Sequence, residues 1–208
     1  MIPLDTLLIF AAASVLLALT PGPNWLYLLS RTMCQGTRAG FVSLAGTMSG
    51  LVVHMLAAAF GLSVVLLAVP FAFDAIKLAG AGYLLWMAWS TLRDGGGFEP
   101  KPMEPAPDAT LFRQALLTGI LNPKVAIFYL SLLPQFIDPA RGHGAAQTAL
   151  LGSLFAVQTV LVFGALGYYA GTVGGWLRGR PAVGRWLDRA TGVLFIGLGI
   201  RLALAERG

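Results

Sequence analysis

Apolar residues occupy this chain in long runs, separated by short polar intervals, with no alternation of the kind a half-buried strand needs. Runs at roughly 4–30, 40–68, 72–92, 112–137, 146–171 and 184–204 each have the length of a membrane-spanning helix, about 20 residues. Two of these runs carry the same defect. Thr20-Pro21-Gly22-Pro23-Asn24 interrupts the first run, and Leu121-Asn122-Pro123-Lys124 interrupts the fourth. Proline lacks the backbone donor that a helix needs and clashes with the preceding turn, so both helices must break. Broken backbone at membrane depth survives only where protein or a wet cavity satisfies it. Paired breaks in corresponding segments of two halves point to a transporter's binding site.

The breaks divide the chain into a first three-helix repeat at 1–93, a connection at 94–110 and a second repeat at 111–208. The halves share an order of small matches. Pro23-Asn24 answers Pro123-Lys124, Ser43-Leu44-Ala45-Gly46-Thr47 answers Ala149-Leu150-Leu151-Gly152-Ser153, and Gly82-Tyr83-Leu84 answers Gly192-Val193-Leu194. An odd number of spans per half inserts the two in opposite senses. The expected fold is therefore an all-α integral membrane protein of six transmembrane helices, a 3+3 inverted repeat with helices 1 and 4 broken. The connection from Asp94 to Asp108, with Gly95-Gly96-Gly97 and four prolines, reads as a mobile linker. Gly46 and Gly50, spaced by four, read as a close-packing helix face, and such faces are compatible with a homodimer.

Composition sharpens this picture. Of the 208 residues 57% are hydrophobic and only 11% charged, which excludes an ordinary soluble domain. The net charge of +5 sits in short loops, so it speaks for membrane orientation and not for nucleic acid. Arg31, Arg38, Arg93, Lys101, Arg113, Arg178, Arg180, Arg185 and Arg189 fall on one side, against Lys77, Arg141 and Arg207 on the other. The positive-inside rule then places both termini outside, on the periplasmic or extracellular face. Asp5 and the absence of a basic first segment argue against a cleaved signal. Trp86, Trp89, Tyr168, Tyr169, Trp176 and Trp186 read as interfacial belt residues.

Few side chains can carry chemistry. Lys124 lies 11 positions after Arg113, about 16 Å into the membrane at 1.5 Å per residue. An ammonium there needs a cavity or a partner, and it is either a substrate group or a structural ligand of freed carbonyls. Asn24 and Asn122 either cap the broken helices or contact substrate. His54, alone in the second span, is either a hydrogen-bonded packing residue or, with Lys124, a proton relay. Asp74, Lys77 and Asp138 read as paired or solvated ends, and Tyr129, Ser131 and Gln158 as polar groups that line a cavity or bridge helices. Cys34 is the only cysteine, so no internal disulfide, dithiol pair or thiolate-rich metal cluster is expected, and no cofactor motif is visible.

These motifs, Leu19-Thr20-Pro21-Gly22-Pro23-Asn24, Ser30-Arg31, Gln35-Gly36-Thr37-Arg38-Ala39-Gly40, Leu121-Asn122-Pro123-Lys124 and Leu133-Pro134-Gln135-Phe136-Ile137-Asp138-Pro139, resemble those of the LysE/RhtB superfamily of amino-acid exporters. The resemblance covers nearly the whole chain and is nearer the homoserine, threonine and leucine exporting branch. It implies a non-enzymatic secondary transporter of the bacterial inner membrane, exporting small neutral amino acids and driven by the proton gradient. The expected site is Pro21, Gly22, Pro23, Asn24, Asn122, Pro123 and Lys124, holding the substrate carboxylate between the two half-helix starts. Rival readings are an exporter of inorganic ions or other metabolites, a membrane redox protein and a membrane enzyme. Each lacks its signature here: clustered ligands inside spans, paired cysteines in the breaks, or paired catalytic groups.

Overall fold

The computed structural model describes residues 2–62, 78, 81–83, 85–86, 88–90, 92–93, 103–170, 172 and 181–204. Every regular element among them is helical. Helix α1 (Leu4–Leu19) meets α2 (Pro23–Gln35) at the first break, and α3 (Thr37–Leu56) follows, running on as a π-helical segment Ala57–Leu62. After the connection come α4 (Asp108–Ile120) and α5 (Pro123–Ile127), the latter continued by a π-helical segment Phe128–Leu132 and a 3₁₀ turn Leu133–Phe136. Helices α6 (Gly144–Tyr168) and α7 (Pro181–Ala203) complete the fold.

Among the described residues, Thr37–Phe60 and Gly144–Tyr168 are each long and apolar enough to cross a membrane alone. The segments around the breaks qualify only as pairs, Leu4–Leu19 with Pro23–Gln35 bent by 50°, and Asp108–Ile120 with Pro123–Phe136 bent by 46°. Both predicted breaks are thus present where the prolines put them. Helix α7 stands where the last span is expected, but Arg185, Asp188, Arg189 and Arg201 keep it out of the apolar set. The expected third span at 72–92 lies largely outside the described residues, as do Asp74, Lys77, Trp176 and the linker stretch 94–102.

Lipid-facing and protein-facing surfaces separate along each helix. Leu4, Leu8, Ile9, Leu16 and Leu19 of α1 and Leu150, Val157 and Leu161 of α6 are exposed, a surface that suits hydrocarbon and not water. Trp86, Trp89, Tyr168, Tyr169 and Trp186 are exposed too. Inside, Phe10 packs on Phe128 and Phe136, and Phe128 on Phe155, with ring centroids 5.7, 5.2 and 4.3 Å apart. A close backbone contact joins the two halves. A Cβ at Gly46 would collide with the backbone oxygen of Phe112 and come within 2.8 Å of Ala115, and one at Gly50 would lie 3.1 Å from the backbone of Gly119. Small residues here let α3 and α4 touch backbone to backbone, the packing that bilayer helices favour.

Two expectations change at the face where α2 ends and α4 begins. Arg31, expected in a loop, lies within α2 and is only 5% exposed, because the helix continues to Gly36, whose φ of 85° ends it. The described end of the linker is pinned, not mobile. Gln35 pairs with Ala106 through both backbone groups (Nε2 to O 2.9 Å, N to Oε1 3.1 Å), Arg31 donates to the carbonyl of Glu104, and Arg38 forms an ion pair with Asp108 at 2.7 Å.

Candidate functional site at the two helix breaks

The first break creates acceptors. Pro21 has no N–H, so the carbonyl of Leu17, four residues earlier, loses its helical partner. Thr20 ends α1 in extended conformation, with both its N–H and its hydroxyl bonded to the carbonyl of Leu16. Lys124 supplies what is missing. Its Nζ donates to the carbonyls of Leu17 at 3.2 Å and Thr20 at 2.9 Å, so an ammonium from the second break sits on the negative end of α1. Two of the three ammonium donors are used, and one remains for the cavity that Lys124 lines. Gly22 leaves room for this contact, since a Cβ there would lie 3.2 Å from Nζ.

The second break is closed in a matching way. Pro123 removes the partner of the Gly119 carbonyl, and the N–H of Lys124 turns from Ile120 to the side chain of Asn122, at 3.0 Å. The carbonyl of Gly119, which keeps a 3.3 Å bond from the Asn122 N–H, and the freed carbonyl of Ile120 lie 3.3 and 3.0 Å from Nε2 of His54, which donates from the last turn of α3. His54 also stacks on Tyr129, with centroids 6.1 Å apart. It is held as a packing and capping group and is not among the residues that line the cavity.

Between the breaks lies a cavity of about 20 Å³, lined by Gly22, Asn24, Asn122 and Lys124 together with Leu17, Ala18, Trp25, Leu51, Val125, Phe155, Thr159 and Phe163. Of the expected site residues, these four polar or glycine positions meet there, while Pro21, Pro23 and Pro123 shape the breaks behind the wall. Asn24 and Lys124 hold equivalent positions, second in α2 and second in α5, and are 4% and 7% exposed. The two asparagines differ. Asn122 is spent as the cap of α5, whereas Oδ1 of Asn24 is buried without a hydrogen-bond partner and α2 has no side-chain cap. The volume matches about one water, too small for an amino acid in the described conformation.

Other polar candidates settle elsewhere. Gln158 exchanges hydrogen bonds with Ser14 and the carbonyl of Ala11, bridging α6 to α1. Tyr129 donates to the carbonyl of Gly152 at 3.4 Å and is buried behind the cavity. Asp138 is paired with Arg141 at 2.7 Å, and the hydrogen bond from Arg141 holds its carboxyl below the usual carboxylate range. It therefore stays ionised through neutral and mildly acid pH. Missing from the expected site were the carbonyls of Leu17 and Thr20 and the wall residues Thr159 and Phe163. Leu17 was readable as the residue four before Pro21, whereas the α6 residues join only in three dimensions.

Comparison with known proteins supplies the identity that geometry alone does not. No solved structure matches. The chain is 30% identical over 197 residues to an uncharacterized membrane protein of Pseudomonas aeruginosa, covering 92% of this chain and 91% of the relative. It is 30% identical over 198 residues to the homoserine/homoserine lactone efflux protein of Salmonella typhimurium, covering 95% of each. An uncharacterized membrane protein of Vibrio cholerae is 28% identical over 200 residues, 96% of this chain and 97% of the relative. The profile of the LysE type translocator matches residues 15–206, and with two broken helices meeting at one polar cavity, the chain belongs to the LysE family of membrane translocators.

Proposed function

We propose that this translocator exports small neutral amino acids of the homoserine class from the bacterial cytoplasm across the inner membrane. The observation that carries the reading is the buried ammonium of Lys124, held on the orphaned carbonyls of the first break and facing the same cavity as the unpartnered Oδ1 of Asn24. That pair suits a zwitterion. The remaining donor of Lys124 and the uncapped start of α2 attract the carboxylate, and Asn24 accepts from the substrate's ammonium or hydroxyl. The apolar wall of Leu17, Ala18, Leu51, Val125 and Phe163 offers no partner for a charged side chain. The relatives named for homoserine and homoserine lactone efflux support the same substrate class.

The cycle in this reading is alternating access by a 3+3 inverted repeat, in an orientation that puts both termini outside. Reciprocal packing supports it: α3 of the first half lies on α4, and α6 of the second half on α1. The two bends act as hinges that open the cavity to one side at a time, and a proton enters as substrate leaves, with Lys124 as its carrier. Uptake of labelled amino acids into inside-out vesicles, with and without a proton uncoupler, tests this. Uncoupler-sensitive accumulation of homoserine or threonine is expected. Accumulation that ignores the uncoupler would remove proton coupling, and failure across the panel with the protein verified in the membrane would overturn the substrate class.

A further inference from the structure

Arg31 is charged and buried, and among the described residues it has no anion. No carboxylate pairs with it among the described residues; its guanidinium bonds three neutral oxygens instead, Oε1 of Gln35 at 3.1 Å, Oε1 of Gln114 at 2.7 Å and the carbonyl of Glu104 at 2.7 Å. Its Nε is buried with no partner, and the ring of Tyr27 lies 5.5 Å below. Isolated charges are not buried so cheaply without a purpose, because desolvation of the ion is only partly repaid by neutral acceptors. A carboxylate brings the opposite charge to a guanidinium and can take two of its N–H groups at once, which a carbonyl does not.

The acceptor most easily exchanged belongs to a strap. Residues 103–107 lie across the end of α2, held by Gln35 on Ala106, by Arg31 on the Glu104 carbonyl, and by a contact from the Met103 N–H to the sulfur of Cys34 at 3.4 Å. Tyr27 and Gln114 fix the other side, the phenol donating to the Leu111 carbonyl at 3.1 Å and contacting Oε1 of Gln114 at 3.0 Å. We infer that Arg31 is a second, entry-side binding site for the carboxylate of the transported amino acid, and that its occupation releases the strap 103–107 from the end of α2. The incoming carboxylate takes Nη1 and Nη2 end-on, displacing the Glu104 carbonyl from the one and Oε1 of Gln114 from the other, and the strap loses its charge-assisted bond. This rests on the substrate class proposed above but not on the central site.

The native Cys34 reports on the strap, since Met103 contacts its sulfur. The experiment measures the rate of N-ethylmaleimide labelling of the purified full-length protein, alone, with L-homoserine and with L-homoserine lactone, which has no carboxylate. Labelling is expected to rise several-fold with homoserine and to stay flat with the lactone. Arg31→Gln is expected to abolish the rise and to raise the KM for homoserine about tenfold or more, with Arg31→Lys partly restoring both readouts. Should the glutamine variant fail to fold, the wild-type contrast between homoserine and lactone decides alone. Equal responses to both compounds, or none to either, would overturn the entry site. Wild-type vesicles separate the two proposals: homoserine transport without a labelling response rejects only the entry site, and a labelling response without transport rejects only the function.

Discussion

Proline at position 21 acts through an atom it does not contain. By removing one N–H it leaves the Leu17 carbonyl to Lys124, so a substitution that restores the donor should compete with the ammonium. Pro21→Ala is expected to keep or raise the thermal midpoint, because a backbone hydrogen bond worth about 1 kcal/mol becomes available, while export falls. A midpoint that drops together with export would mean that the break is structural only. His54 invites the opposite test. Its ring donates to the carbonyls of Gly119 and Ile120, a job that a glutamine amide can share, so His54→Gln is expected to retain export with an unchanged pH profile. A flattened profile would make the histidine a proton relay. At this scale the sequence was legible where a rule is local: Pro21, Pro23 and Pro123 name their own orphaned carbonyls. It was silent on Arg31, whose burial depends on Gln35, Gln114 and Glu104 arriving from separate segments.

Helix placement followed from apolar run length and from proline, and the starts of α3, α4 and α6 fall within a few residues of the expected spans, whereas α3 and α4 end well before them, at Leu56 and Ile120. The π-helical segments Ala57–Leu62 and Phe128–Leu132 had no sequence signature, since a widened turn is chosen by the neighbours it must fit. Nor did the strap, which proline and glycine content described as free. The small-residue spacing of Gly46 and Gly50 was readable as a packing face, and its partner proved to be α4, with Ala115 and Gly119 opposite. Gly46→Leu is expected to destabilise the fold by about 3 kcal/mol or more, because the clashing atom is the Phe112 backbone, which has no rotamer to yield. The thermal midpoint in detergent measures it. A midpoint close to wild type would show that α3 and α4 separate without penalty.

For the molecule as a whole, the two breaks form one device. Each frees carbonyls at the end of one half-helix, and the cation or imidazole that satisfies them comes from a different helix: Lys124 of α5 on α1, His54 of α3 on α4. Membership of the LysE family makes that device part of a membrane translocator, and in the proposed reading the cavity of about 20 Å³ must widen before an amino acid enters. Opening has to break the Lys124 contacts or carry them along, which ties substrate charge to helix geometry. The central claim is that this ammonium is the substrate's carboxylate ligand. Uptake of labelled L-homoserine by inside-out vesicles containing wild type or Lys124→Met, at matched protein in the membrane, tests it most directly. The account predicts accumulation by wild type and none above background by the variant; accumulation by Lys124→Met at the wild-type rate would contradict it.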